Sequence, residues 1–147
     1  MKGTRAIFTL FSLGFVVMWV AASGCSKSHP TDSVAFQGNW TGREIGANTP
    51  GSPTLVFSGT NLEFRGADTN EWYKATFTLR EDTNPKQLVA VITECPFPQY
   101  VGKTSLAIYR IEDGGLRIAA NEPGNPSAPA NFDAPGVRQV LFKLGKP

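Results

Sequence analysis

Polar and apolar residues alternate with period two from Trp72 to Arg80. Tyr73, Ala75, Phe77 and Leu79 fall on one face, and Lys74, Thr76, Thr78 and Arg80 on the other. Successive side chains of a strand point to opposite faces, so this stretch predicts a strand with one wall in a core and one in water. Shorter apolar runs flank it: Phe36 to Ile45, Thr54 to Phe57, and Leu62 to Arg65 before it, then Gln87 to Thr93 after it. Gln87 to Thr93 is apolar on both faces, which predicts cover on both sides. Ser105 to Ile111 and Leu116 to Ala120 bracket Glu112-Asp113-Gly114-Gly115, a strong short hairpin signal. Asn121 to Gly136 is rich in Pro and Asn and reads as irregular, and Gln139 to Leu144 reads as a closing strand. No window carries a capped amphipathic helix. Eight antiparallel strands in one domain predict an all-β fold, a small closed barrel that leaves no sheet edge exposed.

The first 24 residues do not fit this pattern. Lys2 and Arg5 precede a run from Ala6 to Ala22 that is apolar apart from Thr9, Ser12 and Gly14, and Ala22-Ser23-Gly24-Cys25 follows. A basic start, an apolar stretch and small residues before a cut site predict a cleaved export signal over residues 1–24, its apolar run short of a membrane span. Ser23-Gly24-Cys25 resembles the lipobox of bacterial lipoproteins, in which the Cys at the position of Cys25 is acylated and becomes the new N-terminus. That resemblance implies a lipid anchor in the cell envelope and a polar tether over residues 25–34. Ser26 after the Cys implies the outer membrane, facing the periplasm, by the same resemblance. The barrel domain then spans 35–147.

Removing the leader changes the charge balance. The chain of 147 residues has 14 basic and 12 acidic side chains; Lys2 and Arg5 leave with the leader, and the remaining 123 residues are formally neutral. A basic nucleic-acid footprint is therefore absent. Gly and Pro together make up 23 of those 123 residues, placed between apolar runs as turn punctuation. With Cys25 lipidated, Cys95 has no partner for a disulfide within the chain. It reads as a small buried hydrophobe, with no Lys, Arg or His near it in sequence to activate the thiol.

Further motifs run in order along the domain. Phe36-Gln37-Gly38-Asn39-Trp40 resembles the L-Q-G-x-W opening of an uncharacterised lipocalin-like family of exported proteins common in Planctomycetes and Verrucomicrobia. Ala75-Thr76-Phe77-Thr78-Leu79 with Asn84-Pro85-Lys86 resembles its G-x-Y-x-L…K-P-K segment. Ala107 to Ile111 with Gly114 to Ile118 resembles its central hairpin, and Pro129 to Ala134 its loop before the last strand. Ala75 and Ala107 stand where the family has glycines, and the Arg before the loop Pro is missing. The resemblance covers about residues 35–146 and implies a lipocalin-like barrel. Gly38-x-Trp40 is also similar to the G-x-W of true lipocalins, which implies that Trp40 plugs a closed barrel end under a cation from Lys143 or Lys146.

An eight-stranded barrel is either filled by its side chains or holds one small ligand. Trp40, Tyr73, Phe77, Ile92 and Tyr109 are the candidate interior and ligand-lining residues, and the partner they imply is a small apolar molecule. Catalytic constellations are missing. His29, the one histidine, lies in the tether, so the domain has no Ser-His-Asp, Cys-His or His-based metal site. Phosphate loops and dinucleotide fingerprints are absent too. Glu81-Asp82 and Glu112-Asp113 sit at turns, and Asp68 to Glu71 lacks a calcium-loop pattern. These observations predict a non-catalytic domain without a cofactor. It is either an anchored binding module or an envelope interaction module whose barrel is filled.

Overall fold

Strands form wherever apolar runs stand between turn clusters. In the computed structural model, which describes residues 31–48 and 50–145, they are β1 (Gly38–Glu44), β2 (Thr54–Ser58), β3 (Asn61–Arg65), β4 (Trp72–Arg80), β5 (Lys86–Glu94), β6 (Thr104–Glu112), β7 (Gly115–Ala120) and β8 (Arg138–Leu144). The leader, Cys25, His29, the first part of the tether and Lys146 lie outside the described residues. Every strand pairs antiparallel with its neighbours in sequence, and β8 returns to β1 with Trp40 opposite Leu144 and Glu44 opposite Val140. The sheet is a closed eight-stranded barrel. Closure pairs every strand on both sides, which removes the exposed edges of an open sheet.

The two barrel ends differ in the length of their connections. At one end Gly59-Thr60 joins β2 to β3, and Asp113-Gly114 joins β6 to β7. Asp113 and Gly114 both take positive φ, 49° and 69°. This is the turn geometry whose twist matches that of the flanking strands. The other end carries the longer connections, residues 45–53, 66–71, 95–103 and 121–137.

The short-turn end is sealed by a five-residue helix, α1 (Asp32–Phe36), and the sequence pattern gave no sign of it. Phe36, expected at the start of the first strand, ends α1 and is fully buried. Its ring lies 4.9 Å from both Phe57 and Tyr109, and Phe57 lies 4.9 Å from Phe77. Trp40 is 5% exposed and its Nε1 donates to the Phe36 carbonyl at 2.8 Å. Asp32 accepts from Tyr109 Oη and Lys86 Nζ, each at 2.7 Å. The Gln37 side chain clamps the β2–β3 turn, accepting from the Gly59 amide and donating to its carbonyl. A helix this short does not persist alone, so these tertiary bonds hold it. The chain therefore joins the barrel at Asp32, within the stretch read as tether.

Two further readings are corrected. Lys143 pairs across from Thr41, one step out of phase with inward Trp40, so it lies on the outer wall and does not cover the indole. Gln87 to Thr93 is not covered on both sides: Val91 on its outer face is 41% exposed. The outer cover lies one strand further on. The loop of residues 121–137 places the Phe132 ring against the guanidinium groups of Arg110 and Arg117, at 5.1 and 4.8 Å. Gln139 Nε2 donates to the Phe132 carbonyl. On the same outer wall Ile108 and Ala119, paired across β6 and β7, are fully buried.

Candidate functional site

The barrel interior divides along its axis. Large rings fill the end that α1 seals, whereas small side chains line the other half. Ala75 on β4, Ala90 and Ile92 on β5, Ser105 and Ala107 on β6 and Ala120 on β7 face a cavity of about 390 Å³. Leu55, Leu62, Phe64, Val140 and Phe142 form the facing wall. Protein cores ordinarily leave no void much larger than a water molecule. Four alanines on four consecutive strands withdraw the volume that leucines or phenylalanines would occupy, and the packed rings beneath keep the floor rigid.

A slip in strand pairing shapes the wall of this cavity. Lys74 lies opposite Glu94 while Ala75 lies opposite Ile92, so Thr93 is the extra residue of a bulge. Thr93 Oγ1 donates to the Lys74 carbonyl at 3.1 Å. The bulge lets Ile92 point inward, at 3% exposure, and leaves Glu94 outside, paired with Lys74 at 2.8 Å. Strict alternation would have put both on one face.

Polar groups gather at the mouth, where the long loops meet. Arg138, the first residue of β8, holds Glu44 through Nε and Nη2 at 3.1 and 3.0 Å, and holds Glu71 through Nη1. Its guanidinium lies 5.5 Å from the Phe64 ring. Burial opposes the Arg138 charge, but the hydrogen bonds and attraction of Glu71 and Glu44 outweigh it and raise the pKa. Tyr100, on the 3₁₀ turn Pro98–Tyr100, donates to Glu122 and so ties the loop of residues 95–103 to that of residues 121–137. Tyr73, Phe97 and Tyr100 form an aromatic cluster with centroids 6.0 to 6.5 Å apart. Burial, then the Glu71 charge, pushes the Tyr73 phenol up to about 12, so it remains protonated at neutral pH.

Of the interior residues expected from the sequence, Tyr73 and Ile92 line the cavity. Trp40, Phe77 and Tyr109 are buried in the packed end beneath it. Sequence reasoning assigns none of Arg138, Glu71, Tyr100 and the alanines to a cavity or its mouth. The alanines of β4 and β6 stand at inward positions of their alternation, a legible signal of missing volume. Arg138 shares the parity of Val140 and Phe142, so extending the last strand by one residue would have pointed it inward. Other features are ordinary structure. Asp68 Oδ1 accepts the Asn70 amide at 2.9 Å, a local turn bond. Half-buried Cys95 donates to the Phe97 carbonyl. A second, more open hollow lies outside the sealed end between Asp32, Lys86, Arg110 and Phe132. No protein-family model, curated protein or solved structure matches this chain.

Proposed function

We propose that this protein is a lipid-anchored lipoprotein of the bacterial envelope whose lipocalin-like barrel binds a small apolar ligand without catalysis. The observation that carries the reading is the cavity. Its volume of about 390 Å³ falls in the ordinary range of small-molecule sites, roughly 300–1,000 Å³, and its wall is apolar below a polar rim. The motif resemblance to exported lipocalin-like proteins supports the same assignment. A filled-barrel interaction module accounts for the aromatic end, but leaves the alanine-lined half without a purpose.

The position of α1 gives the anchored form a direction. The chain enters at the sealed end, so a lipid on Cys25 would tether that end, and the mouth would open away from the anchoring membrane. Ligand would then arrive from the aqueous side, in the periplasm if the anchor is in the outer membrane. Native mass spectrometry of the detergent-extracted protein tests the binding half of the proposal: a co-purified small molecule is expected, and apoprotein alone after gentle extraction would count against it. Fractionation of Cys25→Ser tests the anchoring half. The variant should leave the membrane or accumulate as precursor, whereas wild-type processing and retention would refute the anchor.

A further inference from the structure

The mouth of the cavity carries an excess of negative charge beside aromatic faces. Glu71 and Glu122 line it together with Arg138, Tyr73 and Tyr100. Arg138 is the one cation among these lining residues, and two carboxylates already occupy it. Glu44 takes two of its nitrogens and Glu71 the third. A ligand carboxylate would have to displace one of these partners, and would meet Glu122 as well. The acceptors are less fully used. Among the described residues Glu122 receives one side-chain hydrogen bond, from Tyr100, and Glu71 one, from Arg138, whereas a carboxylate has room for about four. Among the described residues no cation lies over the rings of Tyr73 or Tyr100; Arg138 lies over Phe64 instead.

From this arrangement we propose that the ligand is a single-chain amphiphile with an organic ammonium head. Its tail fills the alanine-lined half of the barrel, and its head rests at the mouth between the carboxylates of Glu71 and Glu122 and the faces of Tyr73 and Tyr100. The proposal rests on the ligand-binding reading above and adds the head-group chemistry. Three physical terms act together. The tail leaves water for an apolar wall. The ammonium is attracted to the ring faces, a mode of recognition used for cationic ligands. Its N–H groups find charged acceptors, which make stronger bonds than neutral ones. The volume limits the tail: about 390 Å³ is roughly thirteen water volumes at ~30 Å³ each, room for one short chain and not two.

The test is a calorimetric titration of the protein with octylamine, octanol and octanoate at neutral pH, which share a tail and differ in head charge. Octylamine is expected to bind about tenfold more tightly than octanol, with octanoate weakest. Glu122→Gln, on an exposed loop, and Glu71→Gln should each narrow the gap between octylamine and octanol, chiefly by weakening octylamine. If octanoate binds as tightly as octylamine, or if both variants keep the full preference, the head-group assignment is wrong while octanol binding preserves the carrier reading. If none of the three binds, the carrier reading fails and the head-group assignment falls with it. Dioctanoyl phosphatidylethanolamine separates a free amine from a lipid head group: weak binding supports the single-chain form, and binding equal to octylamine overturns it.

Discussion

Two tryptophans, one on β1 and one on β4, should respond very differently to truncation. Trp40 points inward, is 5% exposed and holds the Phe36 carbonyl. Removing the indole leaves a void and an unpaired carbonyl, so Trp40→Ala should destabilise by ~3–5 kcal/mol. Trp72 faces outward, half-buried, with Lys74 Nζ 5.9 Å from its ring. Trp72→Ala should change stability by under about 1 kcal/mol, as surface positions usually do. Urea melts of the pair check this, and equal losses would contradict the assignment of Trp40 as the floor. Tyr109 and Tyr73 add a pH dependence. Burial raises both phenols, with Asp32 adding to it at Tyr109 and Glu71 at Tyr73. Below pH ~10 folded and unfolded chains both keep these protons, so their contribution is fully present. Above it the unfolded chain releases them first, and stability falls as pH rises toward 12. Thermal melts from pH 8 to 12 should show this decline, with a shallower slope in Tyr73→Phe; a flat profile would refute it. The inward faces of Tyr73 and Phe77 were legible from alternation alone. Their division between cavity and packed floor was not, because period-two patterning fixes a face but not a height along the barrel axis.

At the scale of elements, α1 is the part the sequence concealed. Five residues are too few for a helical period to show, and the bonds that hold Asp32 come from Lys86 and Tyr109, far away in sequence. Burial disfavours the Asp32 carboxylate, but the hydrogen bonds from Lys86 and Tyr109 prevail and lower its pKa. Its contribution is therefore present above the ordinary carboxylate range and is lost as pH falls through the lowered value. Asp32→Ala should leave the Tyr109 hydroxyl unpaired in a largely buried site and cost about 1–3 kcal/mol. Hydrogen exchange should show faster opening of α1 with β4 and β5 little changed, whereas uniform acceleration across the barrel would mean that α1 is not a separate stopper. The strands themselves were readable because turn residues separate them cleanly. The two-sided cover expected of β5 was a misreading, since valine at its outer positions also suits a twisted strand that water reaches.

For the whole molecule, the eight-stranded barrel follows from strand count and from a sequence with no capped amphipathic helix pattern, and the cavity follows from where small residues fall within it. Composition pointed the other way: 12 aromatics outside the leader suffice to fill a small barrel. They do not fill it evenly, because Phe36, Phe57, Phe77 and Tyr109 crowd the end where the chain enters. Only the folded barrel shows that Ala75, Ala90, Ala107 and Ala120 line one cavity. The account stands on that cavity being open to a ligand. The direct measurement is fluorescence titration with N-phenyl-1-naphthylamine, an uncharged apolar probe, of the wild type and of Ala107→Phe. A phenyl ring at residue 107 would occupy the cavity and has room to do so, which avoids the usual penalty of overpacking. The prediction is saturable binding of one probe per chain in the wild type, and its loss in Ala107→Phe at unchanged or higher urea stability. No saturable binding in the wild type, or equal binding in the filled variant, would contradict the account.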